Sequence, residues 1–346
     1  MKTILLWIPL FFFMVMPVSA LDLEAPEVPA EAESWMPDGP DSFIGGLLEL
    51  GEKGLQFVND EFRSAASVCM TIIAAAMLLF LISYFIKKEN RIINIAETTV
   101  ISIILLESSD SLIRMASMTI QKLLDYGKLL FPVMTTAMAA QGRVSTSAAL
   151  HTGTVVFNII IGSLMSGIAV PAVYLFLAMS IGYGATGEPL LKRLRDMIKG
   201  SVSWFMKVLL TAFTTYMSIT GVVSGSTDAA ALKAAKLTIS TAVPVVGGIL
   251  SEASESVLIS AELMKNAAGV YGILAFLALF MEPFLRIAVQ YLTLKITAML
   301  CCVFGDGTFT AITEDFSAAM GLLLAMTGSA CLLQLISTVC YMRGSA

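Results

Sequence analysis

The sequence predicts an all-α polytopic membrane protein, with about seven transmembrane helices plus a polar helical hairpin. Three observations predict it. Of the 346 residues, 57% are hydrophobic and only 14% are charged, and the mean hydropathy is +0.84. Several stretches approach the roughly 20 apolar residues that cross a bilayer. The formal net charge of -5 is also unevenly placed. Between Asp22 and Glu61 the acids include Glu24, Glu27, Glu31, Glu33, Glu49, Glu52 and Asp60, while Lys53 and the two clusters Lys87, Lys88, Arg91 and Lys192, Arg193, Arg195, Lys199 carry positive charge. Such asymmetry reports orientation in a membrane and gives no sign of nucleic-acid binding.

Residues 1–20 read as a signal peptide: Lys2, an apolar run over 4–16, then Val18-Ser19-Ala20 as a small-residue cleavage site. The mature chain is expected to start at Leu21, outside the cytoplasm; an uncleaved anchor would add one helix. Residues 21–64 form an acidic extracytoplasmic arm. Its first part, 21–42, is rich in Pro, Glu and Ala and is expected to be disordered. Its second part places Leu47, Leu48, Leu55, Phe57, Val58 and Phe62 at helical spacing, interrupted by Gly51 and Gly54, which predicts a short amphipathic helix.

Residues 65–346 make the multi-helix membrane domain. Expected crossings are 65–86, 92–112, 154–184 (broken at Pro171 and read as one crossing plus a re-entrant or buried piece), 201–223, 267–281, 287–304 and 317–341. The stretch 113–147 is too polar to span. The basic clusters belong in the cytoplasm by the positive-inside bias, and the acidic turn at Asp306, Glu314 and Asp315 belongs outside. With Arg343 inside, seven crossings give an outside N-terminus and an inside C-terminus. Small residues at Gly162–Ser166 and Ser163–Gly167 are spaced for close helix contact. Five cysteines, Cys69, Cys301, Cys302, Cys331 and Cys340, fall in apolar stretches and read as packing residues.

The segment 224–266 differs from an ordinary loop. Ser226, Thr227 or Asp228 can cap a helix with an alanine-rich body carrying Lys233 and Lys236. Pro244, Gly247 and Gly248 then permit a reversal. A second helix through Glu252, Glu255, Ile259 and Glu262 keeps its glutamates on one face. Folded about Pro244, Lys236 stands opposite Glu252 and Lys233 opposite Glu255. The hairpin is either re-entrant, lining a pore or gate, or solvated on the outer face. Glu282 and Arg286, four apart across Pro283, are a candidate ion pair at a kink.

Catalysis has little to build on. His151 is the single histidine, and neither a Gly-x-Ser-x-Gly elbow nor a phosphate-binding loop occurs. No enzymatic activity, metal or cofactor is expected.

The run SGSTDAAALKAAK, followed by AVPVVGG and LSEASESV, closely resembles the signature region of the stage III sporulation protein AE family. The hydrophobic layout fits that family over nearly the whole chain. The resemblance implies a multi-pass component of the complex joining mother cell and forespore, residing in the outer forespore membrane and needed for late forespore development. It implies partners too: ring-forming subunits, an ATPase and a forespore-side protein, besides membrane lipid, with a homo-oligomer left open. Two roles follow, a membrane conduit or a scaffold that assembles the other subunits; an independent secondary transporter is a remoter third. If the hairpin arms are zipped by their charges, Lys236→Glu impairs sporulation and Glu252→Lys in the same chain restores it. Equal sporulation defects in the single and double variants would refute the pairing.

Overall fold

The computed structural model describes residues 25–37, 43–86, 91–242, 247–303 and 307–343. The expected signal peptide lies outside the described residues, as do Pro244 and Asp306. Helices account for nearly all of what is described, and no strand occurs among those residues. A single turn, α1 (Ala30–Glu33), precedes α2 (Phe43–Ile86) and α3 (Arg91–Ala140). There follow α4 (Val144–Leu164), a π-turn (Met165–Ala169), α5 (Val170–Thr186), α6 (Pro189–Ala242), α7 (Gly247–Val303) and α8 (Gly307–Arg343).

Five helical segments are long and apolar enough to cross a membrane: Phe43–Leu79, Val144–Thr186, Pro189–Thr220, Asn266–Val303 and Gly307–Met342. The long helix α3 is outside that group, since Glu107, Asp110, Arg114, Lys122, Asp125 and Lys128 punctuate it. It runs alongside the others all the same, because Ile113, Ala116, Ile120, Leu123 and Leu124 continue one buried stripe. The expected second crossing and the polar stretch after it are therefore one 50-residue helix.

Contacts fix which ends lie together. Gly184 of α5 approaches Thr98 of α3 and Ile312 of α8, and Arg195 of α6 pairs with Asp315 of α8. These mark the basic end. At the opposite end Gly269 of α7 meets Met342 of α8 and Met134 of α3, and Tyr216 of α6 donates to the Ala149 carbonyl of α4 at 3.1 Å. Helix α2 runs parallel to α7: Gly46 faces Leu274, Gly54 faces Leu285, and Thr297 donates to Cys69 Sγ at 2.6 Å. Six long helical runs thus alternate between the two ends.

This arrangement corrects the expected seven crossings. The stretches 267–281 and 287–304 were expected to be antiparallel neighbours separated at Pro283, but α7 passes through Pro283 without reversing. A proline inside a helix costs roughly 3 kcal/mol. Close packing of Phe276, Ala278 and Leu279 before it and Ile287, Val289 and Leu294 after it against neighbouring helices offsets that cost, as is usual for prolines inside membrane helices. With one passage removed, Asp315 comes to the basic end rather than the far side, and Arg343 goes to the end opposite the basic cluster.

Two further boundaries shift. Residues 224–242 are continuous with α6, so the backbone at Ser226 and Asp228 belongs to a helix that starts earlier; the lone Gly225 costs only about 1 kcal/mol. Near Pro171 the chain stays helical, and the π-turn Met165–Ala169 immediately precedes it. A wider turn relieves the clash between the proline ring and the preceding carbonyl. Residues 154–184 accordingly form part of one continuous helical run, without the re-entrant piece expected beside the crossing.

The predicted small-residue contact is only partly made. A Cβ on Gly162 would touch Leu124 at 3.3 Å, whereas Gly167 faces open space. The close approach is at Gly153, where an added Cβ would collide with the Tyr216 ring. Left-handed glycines make the tight turns, Gly142 (φ 78°) after α3 and Gly187 (φ 69°) after α5.

Helices α2, α3, α6 and α7 hold 44, 50, 54 and 57 residues. At 1.5 Å per residue they measure about 66–85 Å, against a hydrocarbon core of roughly 30 Å. The bundle therefore projects well beyond any bilayer it crosses. Part of that length is the far portion of α6 and the near portion of α7, which continue past the end opposite the basic cluster.

Candidate functional site: a strapped proline kink, an ion-pair clamp and a protruding hairpin

The signature region occupies the continuation of α6 and α7. The first arm is described to Ala242 and the second from Gly247; the expected corner at Pro244 lies between them, outside the described residues. Gly247 and Gly248 open the second arm. Ser226, Asp228, Lys233, Lys236, Glu252 and Glu255 are all on helical backbone; the expected charge pairing concerns side chains outside those described.

Around Pro283, charged and aromatic side chains from α2 and α7 gather. Arg286 Nη2 lies 3.3 Å from Glu282 Oε1, and Arg286 Nε lies 3.5 Å from Glu61 Oε2 of α2. The guanidinium also stands 5.6 Å from the centre of the Phe57 ring, a cation–π distance. The predicted Glu282–Arg286 pair is thus part of a larger cluster. Pro283 leaves the Leu279 carbonyl without its usual helical donor, and the charged groups gather on the following turn.

Sequence reasoning missed what covers this kink. Residues 25–37 were expected to be disordered, yet they strap across α3 and α7. Trp35 is only 8% exposed. Its Nε1 donates to Glu282 Oε2 at 3.4 Å, and its ring meets Phe57 edge-on at 5.5 Å. Lys122 of α3 pairs with Glu31 at 3.0 Å, Tyr126 donates to the Pro26 carbonyl at 3.4 Å, and Lys53 donates to the Met36 carbonyl at 2.9 Å. A cavity of about 260 Å³ lies under the strap, with Glu31, Trp35, Met118, Lys122, Glu282 and Pro283 on its wall. The available signal was Trp35, a large aromatic in an otherwise polar, Pro-rich segment. Such a residue finds burial wherever a groove accepts it.

At the basic end, Asp315 joins three helices. Arg195 Nη1 of α6 lies 2.5 Å from Asp315 Oδ2, and Ser180 of α5 donates to the same oxygen at 2.7 Å. The two charged side chains are only 12% and 13% exposed. Arg195 also reaches Asp196 at 2.9 Å and lies over the Tyr183 ring at 5.6 Å. Donation to two carboxylates together with aromatic stacking suits a guanidinium.

Between these regions a buried polar seam follows α8. Gln334 Nε2 donates to Asn158 Oδ1 of α4 at 3.0 Å. Thr135 Oγ1 lies 3.2 Å from the Tyr341 hydroxyl and 3.3 Å from His151 Nδ1, so the single histidine is packed among hydroxyls. Thr313, Thr327, Ser337 and Thr338 return their protons to carbonyls four residues earlier. Among the described residues no group of three or more His, Cys, Asp or Glu could hold a metal ion. The cysteines are unbridged, with Cys301 and Cys331 buried and Cys302 exposed.

Removing one partner of a buried pair leaves the other charge uncompensated, at roughly 3–5 kcal/mol. Asp315→Ala and Arg195→Ala are each expected to lower the thermal midpoint of the purified protein by several degrees. Replacing both with leucine should restore most of the loss. A midpoint unchanged in either single variant would show that the pair contributes nothing.

The profile of the stage III sporulation protein AE family matches residues 45–344. Stage III sporulation protein AE of Bacillus subtilis (strain 168) is 23% identical over 221 residues, which is 64% of this chain and 55% of that relative. The matched stretch thus spans little more than half the relative's length. No solved structure matches the chain. With a profile match from the start of α2 to the C-terminal end of α8, the chain belongs to the stage III sporulation protein AE family.

Proposed function

We propose that this protein is a multi-pass component of the channel-like complex that links mother cell and forespore, and that it acts without catalysing bond chemistry. Family membership supports the process. The observation that carries the mechanism is the continuity of the motif-bearing segment with the bundle: its two arms are the far part of α6 and the near part of α7. A polar pair of helical arms joined directly to the membrane bundle can meet other subunits or line a path between them.

In this reading the protein resides in the mother-cell-derived outer forespore membrane. The basic end, with Lys192, Arg193 and Lys199, faces the mother-cell cytoplasm, where an ATPase subunit can dock. The hairpin and the strapped arm face the intermembrane space, within reach of ring-forming subunits and the forespore-side partner. The lysines of one hairpin arm and the glutamates of the other give the path a mixed polar lining.

The second reading is a scaffold, and a specific observation favours it. The core shared by α3, α7 and α8 is filled by Tyr126, Phe131, Phe276, Phe316 and Tyr341, each at most 2% exposed. Any conduit must then run along hairpins or between copies rather than through one bundle.

Cysteines placed singly along 224–266, in a chain lacking native cysteines, decide between these readings. Labelling of the lysine and glutamate faces by membrane-impermeant reagents in sporulating cells, with partial block of forespore development, is the expected result. Uniform protection that disappears when ring partners are deleted would replace the conduit with a docking surface.

A further inference from the structure

A groove of about 380 Å³ runs between the α4–α5 run and α6. Its wall includes Ile168, Ala169 and Ala172 on one side and Met197, Ser201 and Trp204 on the other. The π-turn at Met165–Ala169 shapes it, because a widened turn followed by small alanines leaves a slot where a regular helix with larger side chains would close on α6. Both walls belong to segments apolar and long enough to cross a bilayer. Its rim is outward-facing: Ile168, Met197 and Trp204 are 62%, 60% and 66% exposed.

One end of this apolar slot meets positive charge. Arg193, Met197, Ser201 and Trp204 recur at spacings of four, four and three, so they share one stripe of α6. Arg193 therefore stands one turn beyond the groove, toward the basic end. Lys192 and Lys199 are exposed on the flanking faces of the same turns. Arg195 points elsewhere, occupied by Asp315 and Asp196. An apolar slot continued by exposed cations complements one kind of molecule, an apolar chain ending in a negative head.

We infer that this groove binds an anionic phospholipid, with an acyl chain along Ala169, Ala172 and Trp204 and the phosphate at Arg193. Lys192 and Lys199 add long-range attraction. The site is independent of the proposed channel role, and it places a lipid contact on the cation-rich start of α6.

Trp204 reports directly on occupancy. The full chain is placed in phosphatidylcholine vesicles containing a small, equal fraction of either phosphatidylglycerol or phosphatidylcholine brominated on its acyl chains. The Trp204 signal is the difference between the native chain and Trp204→Phe. Brominated phosphatidylglycerol is expected to quench it at lower fraction, by about fivefold for each cation engaged. Arg193→Gln should reduce that preference and Ala172→Phe, which fills the slot, should remove it. Lys295→Gln, on a helix that forms no part of the groove, should keep it. Equal quenching by both lipids, or a preference that survives Arg193→Gln or Ala172→Phe, would overturn the assignment. Absence of quenching by either would overturn it also, because a protein segment would then fill the groove.

Discussion

The contact between Arg195 and Asp315 organises the whole bundle. These residues are 120 positions apart, and each carries a charge that is unstable alone in a desolvated setting. Their pairing requires α6 and α8 to begin at the same end. Because α6 leaves that end and α8 starts from it, α7 must make the return in one passage. The continuity of α7 through Pro283 and the location of the C-terminus follow from that requirement. Ser180 adds a third helix to the same carboxylate, so the starts of α6 and α8 and the end of α5 are registered by a single side chain.

The remainder of the bundle is registered by packing and by polar groups satisfied locally. Helix α8 is the central element, meeting α7 and α3 along most of its length. The hydroxyls of Thr313, Thr327, Ser337 and Thr338 donate to its own backbone, which lets them occupy a core without interhelical partners. Other polar groups of α8 reach across to neighbouring helices: Gln334 to Asn158, Ser317 to the Tyr291 carbonyl and Tyr341 to Thr135. Gly127 opposite Gln334 has no room for a side chain: an added Cβ would lie 2.7 Å from Gln334 Oε1. Away from this core the strap and the Pro283 kink hold each other. Trp35 covers Glu282, Glu282 holds Arg286, and Arg286 reaches Glu61 of α2.

Helical periodicity and hydropathy made the class of fold legible in the sequence, and the motif made the family legible. Less legible was where helices end. Glu282-Pro283 with Arg286 reads locally as punctuation, but burial on both sides of Pro283 overrides it. The stretch 113–147 reads as too polar to span, yet much of it packs within the bundle, because its charges occupy the outer face while Ile113, Ala116, Ile120 and Leu123 remain buried. The helix start expected near Ser226 and Asp228 is absent from the backbone, since nothing nearby breaks α6 strongly enough. The Glu282–Arg286 pair was readable from its spacing of four. Its connection to Glu61, and the docking of Trp35 on Glu282, depend on long-range packing that local sequence does not encode.

The direct test of this account is the sidedness of Gly187 and Arg343. In the seven-crossing arrangement, the turn after α5 and the C-terminus lie on one side of the membrane. A single passage of α7 puts them on opposite sides. Cysteines introduced at positions 187 and 343 in a cysteine-free chain, probed with an impermeant thiol reagent on intact and then permeabilised cells, distinguish the two. The structure predicts that position 343 labels in intact cells and position 187 only after permeabilisation. Matching behaviour at the two positions would contradict a continuous α7, and with it the register set by Arg195 and Asp315.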